Sequence, residues 1–275
     1  MPNHVTNEIR VIGGTNKQRL AFIRSITNKR GNIDFNNIAR MPKSLMIDES
    51  TWVENLASAI AGKHMDRYAF GEIETPKAVI DMMRKHGSTD EYIRKVKRQA
   101  LMRIDNKQRY GFYSWYDWGL EKWGTKWNAY SVEMPIARPR ERVSRGYKHL
   151  PTHVRAYDKR IFKKKLARSG AALVIRFETA WSCPEPVYHE LASRFPHLEF
   201  HICYADEDMG SNCGTVLLKN GEWSRDDIAP CWSEQTEEEH LKWRKFAFHL
   251  RYPGDTPQQH GMNEQYKYDE DCDED

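Results

Sequence analysis

The sequence predicts an α+β fold, an antiparallel sheet with helices packed on one face, and three observations predict it. "LVIRFETAW" (173–181) and "HLEFHICYA" (197–205) alternate apolar and polar residues, the period-2 signature of half-buried strands. Between them lies a segment with Val187, Leu191 and Phe195 at helical spacing. "GTVLLKNGEW" carries Asn220-Gly221, the strongest short hairpin signal, so the strands run antiparallel.

The remaining elements follow in chain order. "TNEIRVIGG" places Ile9 and Val11 in a first strand that ends in a glycine pair, and Thr15 caps a helix from about 16 to 25. "GNIDFNNIARMPKSL" reads as an irregular connection through Pro42. Helices are expected over 51–61 and from Thr75-Pro76 onward. Ser88 with Glu91 forms a capping-box pattern before "YIRKVKRQALMRI", an amphipathic basic helix that reads as an ordinary packed surface helix or as a nucleic-acid helix.

"SWYDWGLEKWGTKWNAYSVE" holds four of the nine tryptophans, Trp115, Trp118, Trp123 and Trp127. Ser114 with Asp117 caps a helix that Gly124 ends, and "TKWNAYSVE" reads as a strand. The rings serve either as core or as a stacking platform. The core reading is preferred for these four and for Trp181, with Lys126 and Asn128 left as surface groups. In the second half, Ser182 with Glu185 is expected to box the helix start, and Thr236 with Glu239 to cap a last helix of acidic start and basic end.

Composition narrows the classes. The 275 residues are 39% hydrophobic and 30% charged, and no apolar run approaches the roughly 18 residues of a membrane span. The N-terminus lacks a secretory pattern, and five cysteines without CxxC spacing suit reduced thiols in a cytosol. The net charge of +4 hides segregation. Between Arg138 and Arg168 stand twelve Lys/Arg against two acids, an excess of +10 that leaves −6 for the rest of the chain. From Glu264 to Asp275 there are seven acids and one lysine. Such asymmetry points to a basic surface that meets an acidic partner.

"MPNHVTNEIRVIGG", "YGFYSWYDWGLEKWGTKWNAY", "FETAWSCPEPVYHELASRFPHLEF" and "NCGTVLLKNGE" together resemble the YubB-like family. The resemblance implies a ferredoxin-like sandwich without an iron–sulfur cluster, and an accessory protein of a phage or conjugative plasmid rather than a known chemistry. In that pattern the "KWNAY" strand would turn directly into the "FETAW" strand, so the basic segment between them reads as an insertion. The chain is therefore expected to hold a ferredoxin-like domain over 1–232, with a helical insertion at about 51–109 and the basic insertion at about 134–170. A C-terminal helix and an acidic, partly ordered tail follow over 233–275.

Catalytic motifs are sparse. His201 and Cys203 share a strand face without an orienting carboxylate, "ADEDMGSN" lacks calcium-loop spacing, and "SCPEP" lacks the second cysteine and HxE of a zinc deaminase. No GxGxxG, GxxxxGK[ST] or HExxH occurs, so neither an enzyme, a cofactor nor a metal is expected. The expected partner surface is Arg138, Arg140, Arg142, Arg145, Lys148, Arg155, Lys159, Arg160, Lys163, Lys164, Lys165 and Arg168. It would dock on a host or defence complex with an acidic or nucleic-acid-binding groove. The alternative is direct DNA or RNA binding, with Tyr147, Tyr157 and Phe162 stacking on bases.

Overall fold

The computed structural model describes residues 3–28, 32–66, 69–133 and 173–268. The chain divides into two compact units: 1–39 with 123–275, and 40–122.

The first unit is built on one antiparallel sheet. Strand β1 (His4–Gly13) leads into helix α1 (Asn16–Ile26), which Thr15 and Gln18 close with a reciprocal capping box. After the second unit, β2 (Tyr130–Glu133) and β3 (Leu173–Ala180) precede helix α6 (Glu185–Arg194) and β4 (Leu198–Asp206). The sheet order is β2-β3-β1-β4-β5-β6. Its first four strands follow the βαββαβ path in which β1 and β3 are central. Strands β5 (Cys213–Lys219) and β6 (Glu222–Ile228) extend the sheet as a hairpin, with left-handed Asn220 and Gly221 at φ of 53° and 83° making the tight turn.

One sheet face is apolar. Val5, Ile9 and Val11 of β1, Ile175 and Phe177 of β3, and Phe200 and Ile202 of β4 are buried, as are Phe22 and Ile23 of α1 and Val187 and Leu191 of α6. The Phe22 ring meets Phe195 and Phe200 at centroid distances of 5.5 and 5.3 Å. Asn7 is a polar residue in this core. Its side chain donates to Thr179 Oγ1 at 2.8 Å and accepts from the Tyr188 hydroxyl at 2.7 Å, which satisfies groups that burial would otherwise penalise.

The last helix, α7 (Glu237–Arg251), starts from the expected Thr236/Glu239 capping box. It covers part of the opposite sheet face, where Trp243, Ala247 and Leu250 cluster with Ala205 and Cys213. Arg176 from that face donates to the Leu250 carbonyl, and Arg251 donates to the His4 carbonyl at 2.8 Å. Helices therefore lie on both faces, and α7 belongs to the sheet unit instead of forming a separate C-terminal segment from 233. Sequence periodicity shows a helix's apolar stripe but not which sheet face receives it.

The second unit is helical: α2 (Thr51–Ala61), α3 (Pro76–Lys85), α4 (Asp90–Tyr110) and α5 (Trp115–Lys122). Its core joins Val53, Leu56, Val79, Met83, Ile93, Val96 and Ala100. The helical segment expected over about 51–109 thus lies within a larger unit, 40–122, that takes in the turn before α2 and the Trp-rich α5. No helix among the described residues is long and apolar enough to cross a membrane.

Candidate functional site: a junction of tryptophans and a cationic helix face

The twelve Lys/Arg expected to form the partner surface, Arg138 to Arg168, lie outside the described residues, as does the acidic end from 269 onward. The strands that flank the basic segment are described. Tyr130 pairs with Glu178 and Glu133 with Arg176 in antiparallel register, with an irregularity between them. Strand β2 thus pairs with β3 at the edge of the sheet, and residues 134–172 join these two strands in the sequence.

The Trp-rich stretch splits between the units. Trp115 and Trp118 pack in the helical unit, where Trp115 is half-buried and donates from Nε1 to the Ile47 carbonyl at 3.1 Å, and Trp118 is buried. The cap there forms as expected: the Ser114 hydroxyl accepts from the Tyr116 amide and Asp117 accepts from the Ser114 amide at 2.9 Å. Trp123 belongs to the sheet unit, is buried, stacks edge-on to Phe35 and donates to the Ala39 carbonyl at 2.9 Å. Trp127 and Trp181 are half-buried, with Lys126 Nζ over both rings at 5.2 and 4.5 Å.

Around Trp123 the chain forms a junction of three segments. Gly124, left-handed at φ 76°, lies so close to the start of α6 that a Cβ there would sit 2.6 Å from Pro186 Cδ. The Ser182 hydroxyl donates to the Gly124 carbonyl at 2.5 Å. This overturns the expected Ser182–Glu185 capping box: Pro184 is the N-cap, without a side-chain cap bond. Asn128 accepts from the Phe35 amide at 2.9 Å and donates to Asp34 at 2.8 Å. Asn128 therefore holds the junction together and is not the free surface group the sequence suggested. Residues 124–129 form no strand; regular pairing begins only at Tyr130.

The sheet end beside this junction is densely bonded. The buried Asp206 carboxylate accepts from Asn3 at 3.2 Å, from Asn212 at 2.7 Å and from the Asp208 amide at 3.0 Å. Asn212 also donates to the Trp181 carbonyl at 2.7 Å. Trp181 and Asn212 are both left-handed, and these bonds hold them there against the cost of that conformation. Burial, reinforced by Glu178 and Glu207, pushes the Tyr130 hydroxyl above its usual range. Among the described residues no group of three or more His, Cys, Asp or Glu is arranged to hold a metal ion.

Three of the five thiols are set against nucleophilic use. Burial pushes Cys183 and Cys213 up to about 12, and pushes Cys203 up as well, whereas a thiolate nucleophile needs the opposite shift. His201, the neighbour of Cys203 on the strand face, bonds Glu199 at 2.6 Å, so it has the carboxylate partner that the sequence did not show. That bond is the main reason the Glu199 carboxyl is held below its usual value.

Helix α4 presents a candidate surface of exposed cations. Its cap is Thr89, one residue after the expected Ser88, and Gly111 ends it in the left-handed conformation. Ile93, Val96 and Ala100 face the helical core. Arg103 also points inward: it is 3% exposed, donates to the Met65 carbonyl at 2.8 Å and pairs with Glu49 at 3.0 Å and Glu54 at 3.7 Å. Burial raises the Glu54 carboxyl while the Arg103 charge opposes that shift. Lys95 pairs with Asp48 at 2.6 Å, Lys107 lies over the Tyr113 ring, and Arg109 pairs with Asp105. Arg94, Lys97 and Arg98 remain exposed and form no ion pair among the described residues. They line a shallow depression with Leu101, Met102 and Asp105. The basic pattern of α4 was visible in the sequence; which of its seven cations stay unpaired was not.

Comparison with known proteins bears on the fold. The family described as the ferredoxin-like domain in Api92-like protein matches residues 157–245, less than half of the chain. The chain thus carries a ferredoxin-like α+β fold, as the path of its first four strands also indicates. A crystal structure of Api92 from Yersinia pseudotuberculosis aligns over 84% of this chain and 99% of that one, at 9% identity and a TM-score of 0.37. A superposition of that quality is no basis for transferring function. No curated protein matches the chain.

Proposed function

We propose that the protein is a non-enzymatic accessory protein of a phage or plasmid. It binds a host or antiviral-defence macromolecular complex in the host cytoplasm and inhibits or redirects it through the basic insertion at about 134–170. One observation carries the reading: the stretch of sequence that joins the paired strands β2 and β3 concentrates an excess of +10 charges between Arg138 and Arg168. A connection between strands that concentrates one sign of charge suits a partner of the opposite sign. The upward-shifted thiols support a binding role over cysteine chemistry. The resemblance to the YubB-like family supplies the mobile-element setting.

Direct nucleic-acid binding is the second reading, favoured by the aromatic residues Tyr147, Tyr157 and Phe162 interleaved with the cations. A single experiment separates the two. Nuclease-treated full-length protein is titrated with labelled single- and double-stranded oligonucleotides across a salt series, beside a variant whose twelve insertion cations are changed to Gln. The primary reading expects little binding at near-physiological salt and a protein complex that survives nuclease but is lost in the variant. Tight oligonucleotide binding, with a log–log salt slope of several units that flattens in the variant, would give the nucleic-acid reading first place. Full partner binding by the variant would remove the insertion from both.

A further inference from the structure

We infer that the outward face of α4 is a second docking surface, and that its occupant is an acidic, partly apolar segment of a protein partner. The inference deepens the proposed function, since it rests on the reading that the chain binds an acidic macromolecule, but it places a contact in the helical unit and not in the insertion. Helix α4 carries seven cations, and four of them are engaged by Asp48, by Glu49 and Glu54, by the Tyr113 ring or by Asp105. The three left over, Arg94, Lys97 and Arg98, stand at positions i, i+3 and i+4, which places them together on one stretch of helix surface. Concentrating the unpaired cations in one place is what charge complementarity to a carboxylate-bearing segment requires.

The composition of the face selects a protein over a phosphate backbone. Leu101, 56% exposed, lies one turn beyond the cations, with the half-buried Met102 beside it. A leucine contributes nothing to a phosphate, but it offers the apolar centre that a protein side chain covers. None of the depression's six lining residues is aromatic, so the face has no platform for bases. Six of the ten exposed large apolar side chains among the described residues belong to the helical unit.

The test uses full-length protein and two probes. One is a fluorescein-labelled synthetic helical peptide with Glu at i, i+3 and i+4 and Leu one turn further; the other is a thymidine 20-mer. Peptide affinity is expected to fall at least tenfold in R94E/K97E/R98E and about threefold in L101S, while L101S leaves thymidine binding unchanged. Equal peptide affinity in wild type and R94E/K97E/R98E, or no peptide binding at all, would overturn the inference. So would tight 20-mer binding that the triple variant abolishes, since that assigns the face to phosphate. The insertion variant keeps the two proposals apart. If it loses the peptide while R94E/K97E/R98E keeps it, the α4 surface fails and the insertion reading stands. If the reverse holds, the α4 surface stands without the insertion.

Discussion

The tryptophan junction around residues 123–128 and the outer face of α4 both carry residue types associated with binding, yet their groups are used in opposite ways. At the junction the rings and polar atoms turn inward: Trp123 donates to Ala39, Asn128 bonds Asp34 and Phe35, and Gly124 touches Pro186. On α4 the cations Arg94, Lys97 and Arg98 turn outward and have no ion-pair partner among the described residues. Density of aromatic or charged residues therefore does not identify a surface. Whether the groups are already satisfied by the protein itself does.

Three variants probe that contrast. The largest effect is expected from Trp123→Ala, which removes a buried ring and its hydrogen bond and should destabilise the fold by about 3–5 kcal/mol, read from denaturant unfolding. A change below about 1 kcal/mol would mean that the junction is not a packing element. Gly124→Ala comes next. It combines a left-handed φ with a Cβ pressed against Pro186, for a loss of about 2–3 kcal/mol. If the melting temperature held, the α6 start would have to shift easily, and the junction would be softer than its contacts suggest. The smallest effect belongs to R94E/K97E/R98E. Exposed and unpaired, these positions should change stability by no more than about 0.5 kcal/mol each. A large loss there would show that the cations are structural after all, and the contrast between the two regions would collapse.

The legible part of this protein was the local part. Alternation in 173–180 and 198–205, the Asn220-Gly221 turn and the caps at Thr15 and Thr236 are local features of the chain, and the structure places them as the sequence predicts. The failures share a cause. Ser182 looked like a cap, but its hydroxyl bonds Gly124, 58 residues away; Asn128 looked exposed, but its amide bonds Asp34, 94 residues away. A short polar side chain has a local and a distant use of similar energy, and only the fold decides between them. The α4 face was half legible. Its basic amphipathic pattern is in the sequence, and Leu101 among the polar positions was the available signal.

By itself the sequence determined the α+β class, the succession strand, helix, strand, hairpin in the second half, most helix starts and the segregation of positive charge into 134–170, because each depends on neighbours along the chain. The tertiary structure alone decided that α7 covers the second sheet face, that Trp115 and Trp118 serve a different unit from Trp123, and that Arg103 is buried while Arg94, Lys97 and Arg98 are not. Those outcomes turn on which distant carboxylate, carbonyl or apolar surface arrives beside a given side chain, and periodicity along a single chain carries no record of that arrival.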